Sequence, residues 1–392
     1  MKKRKIYFLY SKSIAIYLAI LALIAMLVVN SGASIAAVKR ALVLCYQTVI
    51  PSLFPFFVLS GALINTGFVR AAGGALSPVI RPVFRVGGSG ALAFVIGIVS
   101  GYPMGAKMVA ELYEKKLISR TEGMRLLPYC NNSGPLFIIG AVGAGMLGNG
   151  RIGLLLYAVH LAAALCVGLC FRFYKSGADA LPERERVRTA VGRQLREYYR
   201  DEARSLGEIL TQCVSDAVRT TLLVCGFIAL FSSFVECLKP LIDACIPART
   251  LNLLIKGMFE VTMGVNGVAI EENIPMAQKL AMISFLTGFG GICVHLQVLG
   301  MVSGSGLQLK TYLIGKILHA LIAAVIAFAA VSLLPLESVL AWSQQEVAAA
   351  QAGAYPLWQA LAFGTFAAAF AFLLYKRRTR KKRYLRQYAG EK

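Results

Sequence analysis

Ser100-Gly-Tyr-Pro-Met-Gly-Ala-Lys107 interrupts an apolar run with two glycines and a proline, and the chain repeats the interruption in weaker form further on. After the first copy come Pro128-Tyr-Cys-Asn-Asn-Ser-Gly-Pro135 and an apolar stretch in which His160 precedes Leu-Ala-Ala-Ala-Leu. The second copy, Glu260-Val-Thr-Met-Gly-Val-Asn266, leads to Gly288-Phe-Gly-Gly-Ile-Cys-Val-His295, then to His319 ahead of Ala-Leu-Ile-Ala-Ala. The landmarks recur at an offset of about 155 to 160 positions, within the looseness of weak internal symmetry. Broken apolar segments at matching places in two halves of a membrane chain mark where a transporter forms its site.

Composition supports a membrane setting without any motif. Of the 392 residues 57% are hydrophobic and 15% charged, against roughly 25% charged in soluble domains; the mean hydropathy is +0.66. The net charge of +22 does not point to nucleic acid. Its cations stand in short tracts beside apolar runs, Lys2-Lys-Arg-Lys5 and Lys376 to Arg386, as cytoplasmic flanks do, and the basic tail suits anionic lipid headgroups. The nine cysteines include no CxxC and lie mostly in apolar segments, so neither a disulfide nor a metal is expected. The run from Ile14 to Val29 is longer than a signal-peptide core and reads as a retained first helix.

The expected fold is an all-α polytopic membrane protein with eight spans, at about 13–30, 47–68, 126–147, 151–172, 217–237, 278–299, 311–334 and 356–375. The Arg-rich linker from Phe171 to Ser205 is expected in the cytoplasm with both termini; Leu333 to Tyr355, with Glu337 and Glu346 and no Lys or Arg, is expected outside. Two stretches then cannot span, Gly88 to about Lys115 and Lys256 to about Asn273, and both read as re-entrant hairpins. The first starts from the cytoplasmic side behind Arg70, Arg81 and Arg85, the second from outside, flanked by Glu271 and Glu272. The halves are therefore inverted. The domains follow: a first helix 1–33, one repeat 34–175, the linker 176–205, the inverted repeat 206–335, a loop and last span 336–375, and the tail 376–392.

Hairpins entering from opposite faces would meet the broken helices near the midplane, where half-helix N-termini suit an anionic or polar solute and freed carbonyls suit a cation. The candidate substrate residues are Ser100, Gly101, Tyr102, Gly105 and Lys107 in the first hairpin, and Asn131, Asn132, Ser133 and Gly134 in the first broken helix. In the second half they are Thr262, Gly264, Asn266, Gly290 and His295. Lys107 has a bland alternative, snorkelling to the interface; the amides could instead glue helices together. Glu260 is either a proton or sodium site or a capped, water-exposed acid. His295 is either a site residue or a neutral, hydrogen-bonded one, and it is expected to be the sole histidine near the centre. His160 and His319 read as packing groups between helices. With no GxSxG, HExxH or P-loop, no enzyme, no ATP-driven pump and no cofactor are expected.

Ser100-Gly-Tyr-Pro-Met-Gly-Ala-Lys107, Cys130-Asn-Asn-Ser-Gly-Pro-Leu-Phe-Ile-Ile-Gly140 and Gly290-Gly-Ile-Cys-Val-His-Leu-Gln-Val298 resemble the YlbJ-type sporulation integral membrane proteins, over roughly residues 10 to 375. The resemblance implies paired nucleoside-recognition (Gate) domains related to the concentrative nucleoside transporters. It also implies movement of dipicolinic acid from the mother cell across the outer forespore membrane. Such a flat aromatic dianion wants cationic or N–H-rich surroundings and an aromatic platform, which Lys107, Asn131, Asn132, Ser133, His295 and Tyr102 could supply. The Tyr-Pro-Met-Gly hairpin matches a nucleoside site poorly. A nucleoside or other polar metabolite carrier is the alternative within transport, a non-transporting membrane organiser the alternative outside it. A homo-oligomer is among the partners the sequence allows.

Overall fold

The computed structural model of the chain describes residues 2–65, 80–175 and 205–333. Most of the linker 176–205, the loop and last span 336–375 and the tail 376–392 lie outside the described residues, as do the span at 356–375 and the loop before it.

Every regular element described is helical. Helix α1 (Lys2–Val29) turns at Asn30 into α2 (Ser31–Leu44), and the two axes meet at 94°. A π-helical turn at Cys45–Val49 carries α2 on into α3 (Ile50–Asn65). The sequence places no span between 13–30 and 47–68, where α2 stands. Lys39 and Arg40 interrupt the apolar window there, but Ala and Leu dominate and no proline stops the helix, so propensity carries it through.

Two short helices follow, α4 (Gly88–Ser100) and α5 (Met104–Glu114), joined by Gly101-Tyr102-Pro103. Then α6 (Arg120–Cys130) stops at Asn131, and a π-helical segment, Leu136–Met146, resumes after Pro135. Helix α7 (Gly150–Phe171) closes this half. The same order recurs: α8 (Leu206–Cys245), the pair α9 (Arg249–Phe259) and α10 (Val261–Ile270), the broken helix α11 (Met276–Phe289) and α12 (Gly291–Val302), and α13 (Leu309–Leu333). Helix α8 runs well beyond the predicted 217–237, because Ser205 and Glu208 form a capping box that starts it early.

Among the described residues four stretches are long and apolar enough to cross a membrane: Gly150–Phe171, Leu206–Cys245, Met276–Ser305 and Leu309–Leu333. The bent pair around Asn30 makes a fifth if it counts as one. Where spans at 47–68 and 126–147 are expected, the apolar helices are the shorter Leu53–Leu63 and Leu136–Met146. Polarity is distributed as a bilayer demands. Leu18, Leu59, Leu154, Leu222, Leu321 and Val325 face outward, more than half exposed, whereas Asn131, Asn132, Ser133, Lys316 and His319 have no exposure at all. The chain is an integral membrane protein.

Candidate functional site

The first half is locked by side chains that satisfy helix ends. Glu122 accepts from the backbone N–H of Ser119 (2.7 Å) in a capping box at the start of α6, and from that of Gly87 (2.6 Å) at the start of α4. One carboxylate thus ties two helix starts together. The buried Arg125 donates to the carbonyls of Arg85, Tyr174 and Lys175 at 2.8, 2.9 and 3.2 Å.

The α4–α5 pair closes around the end of α6. A Cβ on either Gly97 or Gly105 would stand 1.8 Å from the Cys130 carbonyl oxygen. At the tip, Gly101 (φ 79°) lies so close to Gly134 that a Cβ would be 2.8 Å from its nitrogen. The second half repeats this relation. Gly257 and Gly264 bring α9 and α10 into backbone contact, and Gly291 at the α11–α12 break lies against the carbonyls of Gly257 and Phe259. In each half the tip of the helix pair touches the break of the helix that follows.

Both tips, the first break and the first turn of α12 border one cavity. Ser100, Gly101 and Tyr102 line it from the first tip, Gly134 and Pro135 from the first break, Glu260 and Thr262 from the second tip, and Cys293 and Gln297 from α12. Val49, Leu53, Phe56, Val224 and Ile228 complete an apolar wall. The opening residues of the Leu136 segment, α10 and α12 all face this space, so three positive helix ends converge on it. Glu260, 1% exposed, caps α10: it accepts from the Met263 N–H at 2.8 Å and from the Thr262 hydroxyl. The capped half of its alternative reading holds and the water-exposed half does not. The Gln297 carbonyl oxygen is buried without a hydrogen-bond partner.

The remaining candidates fall elsewhere. Lys107 is half-buried and its Nζ lies 3.4 Å from the Thr220 hydroxyl of α8, away from the cavity lining. Its position follows from helix geometry, since one turn past Pro103 the side chain faces the flanking helix. Gly105 and Gly264 serve close backbone approach and do not line the cavity. Gly290, in the left-handed region (φ 89°), forms the second break. Asn266 is exposed in a second, wider opening of about 1350 Å³, lined also by Arg40, Glu236, Lys239, Arg249 and Lys256. Thr262 lines both spaces. The opening is thus an antechamber only in that it adjoins the cavity at Thr262, and its four cations are each paired with a carboxylate.

Behind the first break runs a buried polar chain. Asn132 Nδ2 donates to the Tyr129 carbonyl (2.7 Å), and the Ser133 hydroxyl to that of Thr287 (3.4 Å). Asn131 Nδ2 donates to the Tyr312 hydroxyl (3.3 Å), which in turn lies 2.9 Å from His295 Nδ1. Lys316 Nζ donates to the Asn131 carbonyl (2.9 Å) and lies 3.2 Å from His319 Nδ1. His319 Nε2 donates to the His160 carbonyl (3.1 Å), and His160 Nε2 accepts from the Ser133 N–H (3.1 Å). The two imidazoles pack with centroids 4.4 Å apart. They are packing groups, as expected, but they also stand beside the break, so His295 is not the sole central histidine. Sequence reading passed over Lys316 and Tyr312. A lone lysine in Tyr312-Leu-Ile-Gly-Lys-Ile-Leu-His319 was the available signal, because a charge inside an apolar helix is functional by default.

The nucleoside-recognition family, Gate, matches residues 47–177, which takes in the first tip, the first break and α7. No solved structure matches the chain. The sporulation integral membrane protein YlbJ of Bacillus subtilis is 37% identical over 323 residues, covering 77% of this chain and 79% of that protein. The helices, the buried polar breaks and this identity agree, and the chain belongs to the YlbJ family of sporulation integral membrane proteins.

Proposed function

We propose that the chain is a secondary carrier for a small carboxylated anion, dipicolinate during sporulation, placed in the outer forespore membrane with both termini in the mother-cell cytoplasm. The carrying observation is the one cavity lined by both tips, the first break and the first turn of α12, so that three helix N-termini border it. The twofold order of helix pair, broken helix and long helix supports an inverted repeat whose two tips are re-entrant and enter from opposite faces. Alternating access is then the movement of one repeat element against the other. Tyr102 offers the aromatic face beside these helix ends. The link to dipicolinate itself comes from the family's tie to sporulation.

Glu260 sets a condition on this reading. Two like charges about 4 Å apart repel by roughly 4 kcal/mol at an effective dielectric of 20. An anion therefore enters with Glu260 protonated, and a proton travels with the solute. Uptake of radiolabelled dipicolinate into vesicles holding the purified protein tests this. Saturable uptake accelerated by an imposed proton gradient is expected, and Glu260→Gln should keep uptake while losing the acceleration. Nucleoside uptake with no dipicolinate uptake would replace the substrate by the one that the Gate description names.

A further inference from the structure

Lys316 lies inside α13 with no exposed surface, and among the described residues no carboxylate pairs with it. A charge held at this depth is costly and persists only where acceptors hold it. Its two partners are both acceptors. Asn131 is the extended residue at which α6 ends, and its carbonyl, turned out of the helix, accepts from Lys316 beside the carboxyl end of α6. His319 presents Nδ1, and because its Nε2 faces the His160 carbonyl, Nε2 carries the proton and Nδ1 the lone pair. Carbonyl ends of broken helices are where membrane carriers hold coupling cations. Here the place is filled by the protein: Gly97 and Gly105 already close on the neighbouring Cys130 carbonyl, and Lys316 reaches the next one.

We infer that the Lys316 ammonium is a built-in cation at the carboxyl end of α6, standing where an inorganic coupling ion would otherwise sit, so that the protein needs no sodium. Its charge lies three residues behind Gly134 in the cavity wall and adds to the field that favours an anion. Lys316 is a positioning residue, acting through the Asn131–Gly134 backbone rather than by touching solute.

Two measurements test this, and the first does not depend on the chain being a carrier. Melting of the purified protein is followed in sodium, lithium, potassium and choline chloride at equal ionic strength. The wild type should melt at one temperature in all four. Lys316→Ala should melt lower in choline and recover with sodium or with ethylammonium, since a ligand that binds only the folded state raises its stability. A wild type stabilised by sodium would overturn the inference, and so would a Lys316→Ala protein that no cation restores. If Lys316→Ala does not fold, Lys316→Gln keeps a donor toward Asn131 without the charge. In vesicles it should lose flux by about tenfold or more at unchanged expression. Full, sodium-independent flux in Lys316→Gln would reduce the lysine to a hydrogen-bond donor and end the proposal. This second arm rests on the carrier reading; a wild type that moves no anion refutes that reading and leaves the melting result standing.

Discussion

Between Cys130 and Leu136 the first broken helix takes five residues, two of them amides, one a hydroxyl and one a proline, whereas the second turns on Gly290 with Gly291 beside it. The wide break frees backbone and side-chain groups that must find partners at depth, and most come from the other half: Tyr312, Lys316 and the Thr287 carbonyl. The narrow break frees almost nothing, because α12 begins where α11 ends. Its half carries the acid instead, Glu260, at the tip of the α9–α10 pair, where the first half has Gly101-Tyr102-Pro103. One order of helices thus supports two chemistries. The halves share close backbone approach and differ in what they present to the cavity.

The shared part gives the largest effect. Gly105→Val and Gly264→Val each place a side chain into backbone, 1.8 Å from the Cys130 oxygen and 2.1 Å from the Gly257 Cα. Overpacking of this kind costs about 1–3 kcal/mol when side chains can yield, and here only backbone is available to move. Neither variant is expected to give a monodisperse peak in detergent. Gly140→Ala, with nothing within 4 Å, should behave as wild type. If Gly105→Val folds and Gly264→Val does not, the correspondence between halves is broken at its base.

The difference between the breaks predicts an ordered pair of losses. His160→Leu removes the acceptor of the Ser133 N–H and leaves a buried donor unpaired, a cost of about 1–3 kcal/mol. His319→Leu removes the donor to the His160 carbonyl and also one of the two acceptors of Lys316. It should melt lower than His160→Leu. Equal melting temperatures would mean that the Lys316 contact contributes little, and the wide break would then not depend on the other half for its support.

What the sequence made legible follows from the same contrast. Gly, Pro and Asn announce a break wherever they interrupt apolar residues, so the first tip and both breaks could be placed from the chain alone; the second tip stands at Glu260, and the glycines that mark it in the sequence, Gly264 and Gly267, lie inside α10. Partnership across halves could not. Tyr312 and Lys316 sit in an ordinary-looking helix, and only packing shows that they face Asn131. Lys107 failed in the opposite sense: its spacing put it near the tip, but the rotation of α5 turned it toward Thr220. Helix α2 was hidden because hydropathy windows register the charges of Lys39 and Arg40 and not the helix propensity around them.

The smallest effect belongs to the rim of the antechamber, where water replaces the dry polar chain of the breaks. Arg249 Nε donates to Glu271 Oε2 at 2.7 Å, and the guanidinium beside it holds the Glu271 carboxyl below the usual carboxylate range. A carboxyl depressed in the folded state stabilises it above the unfolded value, about 4.3, and that stabilisation fades as pH falls through the folded value. The melting gap between wild type and Arg249→Ala should therefore be small, constant from neutral pH to about pH 5, and closing below about pH 4. High salt should narrow it at any pH, because exposed pairs are screened within a few ångströms at molar ionic strength. The gap between wild type and His319→Leu should hold in the same salt, since with Lys316 in place the two groups have no exposed surface to screen. A rim gap that survives both acid and salt would assign Arg249 to packing rather than charge, and the contrast between a wet rim and a dry interior would lose its electrostatic basis.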